Sequence, residues 1–323
     1  MTYLNSYDIL KYRCFIKEEN ISKIAFVFPG QGTQYVGMGK ELYENNELAR
    51  QEFDNLFSKL DFDLKTVMFE GPEEVLKETK NTQPAIVSMS LILKKLLEAK
   101  GVKADYVAGH SVGEYAAFGA AGYLLIEDTV KLTSARGKFM NEVAEKVNGG
   151  MAAIIGLDSD KIIEELKKVD GVVEAVNFNE PKQTVIAGEK DAIAKACEVL
   201  KEAGARRAMP LAVSGPFHSS LMKEAGEKLK EEAEKYNFTM TDIKLVANTT
   251  ANILTSVDEV KDEIYRQSFG PVKWVDTIKK LKSEGVTTIY EIGPGKVLAG
   301  LIKKIDKEIE VKNIEKLEDL SNI

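Results

Sequence analysis

Two hydrophobic periods alternate along this chain. Short continuous apolar runs at residues 24–28 and 104–108, with two more strand-like segments at 244–247 and 287–291, have the length of strands in a covered sheet. Between them lie longer stretches whose apolar positions recur at helical spacing: 39–60, 85–99, 114–119, 127–143, 219–236, 257–265, 275–283 and 296–305. Strands that alternate with helices predict an α/β fold built on a parallel sheet.

Residues 149–214 break this rhythm. The order there is strand 151–157, helix 159–169, strands 172–177 and 184–187, helix 191–204 and strand 205–213. That β-α-β-β-α-β order predicts a ferredoxin-like unit, self-contained and inserted into the larger one. The expected organisation is therefore a main domain over 23–148 and 215–323, an inserted subdomain over 149–214, and an N-terminal extension over 1–22 with no assigned role.

Composition narrows the chemistry. Lys and Arg number 44 against 51 Asp and Glu, a net charge of −7, which disfavours binding of nucleic acid through its phosphates. The cysteines, Cys14 and Cys197, are too far apart and too few for a disulfide framework, which fits a reducing cytoplasm. With only His110 and His218 in the chain, a histidine-built metal site is not expected. The longest apolar stretch, 116–126, is about half of the ~20 residues that span a bilayer, so no membrane segment is expected.

Gly109-His110-Ser111-Val112-Gly113 matches the G-x-S-x-G nucleophile elbow. Such a pattern arises by chance in roughly one chain in ten of this length, so its context matters. Here a predicted strand enters the turn and a predicted helix leaves it. Glycines permit the sharp turn, and the helix N-terminus favours negative charge at the serine. Ser111 is either a nucleophile or a bystander in a tight turn. A nucleophilic serine needs a base. His110 is its neighbour, and a tight turn aims adjacent side chains apart. His218, at the junction between the two units, is the remaining candidate.

Other glycine-rich segments lack phosphate-binding spacing. Gly30-Gln31-Gly32 would need a glycine at Tyr35 to make a dinucleotide fingerprint, and Gly293-Pro294-Gly295-Lys296 is not a P-loop. The first could offer a backbone N–H to an oxyanion; the second reads as a strand–helix turn. Arg136 lies on the helix after the elbow, where most arginines are solvated.

Together these motifs resemble the malonyl-CoA:acyl carrier protein transacylase family. The resemblance rests on Phe-Pro-Gly-Gln-Gly-Thr-Gln at 28–34, Asn-Thr-Gln-Pro-Ala at 81–85, Gly-His-Ser-Val-Gly-Glu at 109–114, Arg136, Gly-Pro-Phe-His at 215–218, Arg-Gln at 266–267 and Gly-Pro-Gly-Lys-Val-Leu at 293–298. It implies an α/β-hydrolase-like domain carrying the ferredoxin-like insertion. It also implies that Ser111 is acylated and that His218 is the general base and acid. By the same resemblance, the Gln267 main-chain carbonyl orients His218, with Asn248 nearby, and the N–H groups of Gln31 and Val112 form the oxyanion hole. Arg136 holds the acyl carboxylate, Gln83 lines the site, and Phe217 crowds an α-methyl group. The implied substrates are malonyl-CoA and the phosphopantetheine arm of acyl carrier protein, a transient partner. No cofactor or metal is expected, nor any nucleic-acid or membrane partner, and the chain is expected to be a cytoplasmic monomer of fatty acid synthesis. Arg206 and Arg207 are candidates for the acidic carrier's contact. The rival readings are a serine hydrolase, a polyketide-serving acyltransferase and a catalytically silent scaffold.

Overall fold

The computed structural model describes residues 22–323, so the N-terminal extension expected over 1–22 lies almost wholly outside the described residues. Nine strands form two sheets. The first runs β7-β2-β1-β8-β9, from β1 (Lys23–Phe28), β2 (Tyr106–Gly109), β7 (Lys244–Leu245), β8 (Val286–Ile292) and β9 (Glu310–Ile314), with all neighbours parallel. The second runs β4-β5-β3-β6, from β3 (Gly149–Ile155), β4 (Val173–Glu180), β5 (Gln183–Glu189) and β6 (Arg207–Pro210), with all neighbours antiparallel. Counted from its own first strand, that order is 2-3-1-4, which is the ferredoxin-like arrangement.

Both faces of the parallel sheet are covered, which is why its central strands β1, after Lys23, and β2 are continuously apolar rather than alternating. On one face Phe26, Phe28 and Val107 pack under the helices α1 (Lys40–Asn45), α2 (Glu47–Phe57), α3 (Leu64–Phe69), α4 (Glu73–Lys77), α5 (Thr79–Ala99), α6 (Gly113–Ala121) and α7 (Ile126–Lys146). On the other, Ala25, Val27 and Tyr106 meet Trp274, Ile278 and Leu301. The antiparallel sheet buries Ile154 and Ile186 against α8 (Ser159–Leu166) and α9 (Lys190–Glu202). Its other face packs Met151, Val176 and Ala187 against Met140, Phe217 and Met222 of the main unit.

The remaining helices are α10 (Lys223–Ala233), α11 (Val257–Gln267), α12 (Trp274–Ser283), α13 (Val297–Ile305) and α14 (Leu317–Ser321). Several boundaries differ from expectation for local reasons. The helix expected over 39–60 is two, broken at Asn46, whose side chain accepts the Ala49 N–H at 2.9 Å and caps the second. The helix expected from 85 begins at Thr79 and contains Pro84, close enough to the start that only one ladder bond is lost. The last strand of the insertion shortens to four residues, and the helix expected from 219 begins at Lys223 after a single 3-10 turn, Ser220–Met222. Strand β9 and helix α14 were not expected. Glu310–Ile314 mixes charged and apolar residues, as an edge strand does.

Candidate active site

Strand β2 ends at Gly109 and α6 begins at Gly113, so the reversal is completed in three residues. Ser111 takes φ 54°, a left-handed conformation that costs a non-glycine residue of order 1–3 kcal/mol. The two glycines make the turn possible. A Cβ on Gly109 would sit 1.9 Å from the Gly113 carbonyl carbon, and one on Gly113 would sit 2.1 Å from the Phe28 oxygen. Asn248, just beyond β7, braces the turn from outside. Its Oδ1 accepts the Ser111 N–H at 2.9 Å and its Nδ2 donates to the Gly109 carbonyl at 2.7 Å.

His218 arrives from the junction loop, also with a left-handed backbone, φ 67°. Its Nδ1 lies 2.8 Å from the Gln267 carbonyl and 3.2 Å from the Gly270 carbonyl. Carbonyl oxygens only accept, so Nδ1 carries the proton and Nε2 presents its lone pair. That Nε2 lies 2.7 Å from Ser111 Oγ. Burial, with the Arg136 guanidinium adding to it, pushes the imidazole down to about 3, so it is unprotonated at physiological pH and its Nε2 lone pair is free to accept.

Arg136 comes from the middle of α7 and is completely buried. Its Nε and Nη2 donate to Gln267 Oε1 at 3.2 and 2.8 Å, and Nη2 also reaches Ser111 Oγ at 3.3 Å. The guanidinium lies over the Tyr115 ring, 5.2 Å from its centroid. Nη1 has no partner, and among the described residues no carboxylate lies within ion-pair distance of Arg136. A buried cation with an unpartnered donor is a site for an anion. Gln267 joins the parts, since its Nε2 donates to the Ser111 carbonyl at 2.6 Å.

These groups open into a cavity of 330 Å³, whose wall includes Gln31, Gln83, Met140, Phe217 and the 211–213 segment. Gln83 Oε1 is buried there without a partner. The loop after β1 packs on the elbow, and neither the Gln31 nor the Val112 N–H meets a protein acceptor among the described residues. A larger groove of 720 Å³ lies beside the Gly270–Pro271 turn. It contains no Ser–His pair, so chemistry rather than size selects the smaller cavity.

The chain around this strained serine, buried imidazole and buried arginine resembles known proteins in sequence and in fold. The acyl transferase domain model matches residues 25–318. The chain is 44% identical over 293 residues to the malonyl CoA-acyl carrier protein transacylase of Bacillus subtilis, covering 90% of this chain and 92% of that one. The chain belongs to the malonyl-CoA:acyl carrier protein transacylase family. Among solved structures, the acyl-carrier-protein S-malonyltransferase of Burkholderia pseudomallei superposes with a TM-score of 0.89 at 42% identity, covering 93% of this chain and 98% of that one. A malonyl-transacylase in complex with a type II polyketide acyl carrier protein superposes with a TM-score of 0.89 at 38% identity, with 93% and 98% covered.

The fold thus brings Ser111, His218, Arg136, Gln31, Gln83 and Phe217 to one cavity, with Gln267 bonded to His218 and Arg136, while the 293–298 segment lies outside the cavity wall. Asn248, expected to help orient His218, instead bonds the elbow backbone on both sides of His110. His110 points away from the serine, its Nε2 2.8 Å from Asn179 Oδ1 in the insertion. Residues not singled out beforehand include Asn179 and two fully buried acids, Glu114 and Glu263. Glu114 had a visible signal, a lone acid in the apolar run Val112–Ala121. Glu263, on the exposed-looking α11, had none.

Among the described residues there is no helix long and apolar enough to cross a membrane, and no cluster of three or more metal-ligating side chains.

Proposed function

We propose that this acyltransferase moves a malonyl group from malonyl-CoA to the phosphopantetheine thiol of acyl carrier protein, through an ester on Ser111. The observation that carries the reading is a single atom, Ser111 Oγ, within reach of both His218 Nε2 at 2.7 Å and Arg136 Nη2 at 3.3 Å. His218 takes the serine proton as Oγ attacks the thioester carbonyl. The Gln31 and Val112 N–H groups receive the oxyanion. Collapse breaks the C–S bond, and His218 returns the proton to the departing CoA thiolate. The second half runs in reverse: the carrier thiol gives its proton to His218, attacks the ester, and Ser111 recovers the proton.

Arg136 sets the acyl class. Gln267 occupies its Nε side, so the end-on pair Nη1 and Nη2 faces the free carboxylate of malonate. Gln83 and Phe217 shape the space around the methylene carbon. The reading includes a monomeric cytoplasmic enzyme of fatty acid synthesis that uses no cofactor. A serine hydrolase is disfavoured because His218 Nδ1 faces two carbonyls and no acid.

Intact mass spectrometry tests the proposal. Malonyl-CoA is expected to add one malonyl mass, absent in Ser111→Ala, and the fatty-acid carrier protein in its phosphopantetheine form should remove it. Loss to water before any thiol is added would make the chain a hydrolase. Discharge only onto a polyketide carrier would move it to the other pathway class, and no adduct at all would refute transfer.

A further inference from the structure

Glu114 and Glu263 approach the same two residues from different helices. Glu114, the second residue of α6, is fully buried, and its Oε1 accepts the Asn248 N–H at 2.7 Å. Glu263, on α11, is 3% exposed, and its Oε1 accepts the Thr249 N–H at 2.9 Å while its Oε2 accepts the Thr249 hydroxyl. Asn248 and Thr249 are consecutive, and the two carboxyl groups are near enough to act on one another. Each Glu263 oxygen thus accepts one donor and keeps capacity for another, and Glu263 forms part of the wall of the large groove beside the Gly270–Pro271 turn. Glu114 Oε2 has no partner within hydrogen-bond geometry among the described residues, the Gln267 amide being its nearby polar neighbour.

Two adjacent buried carboxylates cannot both be charged without a large penalty. A carboxylate oxygen that nothing donates to is a second penalty at the same place. One proton removes both. We infer that Glu114 is a neutral acid whose Oε2 proton is shared with the Glu263 carboxylate, and that this pair is a positioning device for Ser111.

The chain of contacts is short. The pair holds the backbone of Asn248 and Thr249, and the Asn248 side chain in turn holds Ser111 N and Gly109 O. The strained Ser111 turn is therefore braced from two helices at once. The charged groups facing the pair are Arg136, on the Glu114 side, and Asp262, on the Glu263 side. Burial raises both acids, Glu114 well above the carboxylate range, with the neighbouring Glu263 charge adding to it.

This inference rests on the proposed transfer for its kinetic arm, and it has a spectroscopic arm that needs no turnover. In the full chain at neutral pH, the infrared difference between wild type and Glu114→Gln should contain the carbonyl band of a protonated carboxyl group, shifted in deuterium oxide. In acylation by malonyl-CoA, Glu114→Gln should stay within about threefold of wild type, because an amide copies a neutral acid. Glu114→Ala should lose about a hundredfold in kcat with little change in KM, as expected for a reacting oxygen displaced by roughly 1 Å. Glu263→Gln should fall by more than about tenfold, because its amide nitrogen then meets a Thr249 donor. Absence of the band, or a Gln variant at 114 as damaged as the Ala variant, would overturn the shared proton. An Ala variant as active as wild type would overturn the positioning role. If Glu114→Ala does not fold, the infrared band and the Gln pair still decide. Failure of wild type to take up malonate would refute the transfer while leaving the infrared result intact.

Discussion

Arg136 and His218 show how burial turns ordinary side chains into reagents. Arg136 donates from Nε and Nη2 to a glutamine oxygen and leaves Nη1 unpaired, so an acyl group without a carboxylate leaves that donor empty. Arg136→Ala is therefore expected to lose malonyl transfer by about 2–5 kcal/mol while acetyl transfer changes far less. Competition between malonyl-CoA and acetyl-CoA measures this, and equal losses would remove Arg136 from substrate choice. Phe217, 7% exposed on the cavity wall, is expected to disfavour methylmalonyl-CoA. Phe217→Ala should relax that preference by about 1–3 kcal/mol, the worth of one methyl group. The imidazole pushed down to about 3 has a consequence for pH. Between that value and the ordinary imidazole value of about 6.5, the unfolded chain binds the proton and the folded one does not. This contribution to stability is thus complete above about pH 6.5 and is lost progressively as pH falls toward 3. Labelling of Ser111 by an uncharged sulfonyl fluoride should show no imidazole-type loss of rate between about pH 8 and 5. A midpoint near the free imidazole value would show that His218 is more hydrated than its surroundings imply.

The elbow is the element on which most of the site depends, and its glycines are required by distance as well as by conformation. Gly113→Ala places a methyl 2.1 Å from the Phe28 oxygen, between α6 and the end of β1. The variant is expected to lose about 3 kcal/mol of stability and most of its malonyl-ester formation, checked by thermal denaturation and mass spectrometry. Unchanged behaviour would mean that β1 and α6 separate easily. Elements whose burial is uniform, such as β1 and β2, were readable because a covered parallel strand is apolar throughout. Short or edge elements were not. Strand β9 pairs along only one side and needs few apolar residues, and β6 is only four residues long, ending at Pro210, which has no N–H to offer a ladder.

At the scale of the molecule, the two units are stitched together beside the site. Strand β4 would be an open edge, but Val272 covers it, its N–H donating to the Val176 carbonyl at 2.7 Å and its carbonyl accepting the Phe178 N–H at 2.9 Å. The same chain segment supplies Gly270 and Gln267 to His218, so the insertion helps to fix the base. At the opposite edge, β6 leads into residues 211–213 at the cavity wall, and the exposed Arg206 and Arg207 stand at its start, Arg206 just before the strand. Among the described residues neither has a carboxylate partner, in a chain whose net charge is −7. Reversing both charges should raise the apparent KM for the acidic carrier by about tenfold and flatten its salt dependence, while acylation by malonyl-CoA stays unchanged. No effect on the carrier would place its contact elsewhere.

The order of residue types along the chain was enough to pick out Ser111 by its turn pattern, His218 by the scarcity of histidine and the ferredoxin-like insertion by its repeat of strand and helix, while Arg136 came only from the family resemblance. It was not enough to aim Asn248, which bonds the elbow instead of the imidazole, or to find Glu263 as the neighbour of Glu114. Those depend on which helices meet at the end of β2, and on how much water they exclude there. Desolvation and pairing are properties of a place in space, and residues 111, 114, 248 and 263 become one place only when the chain has folded.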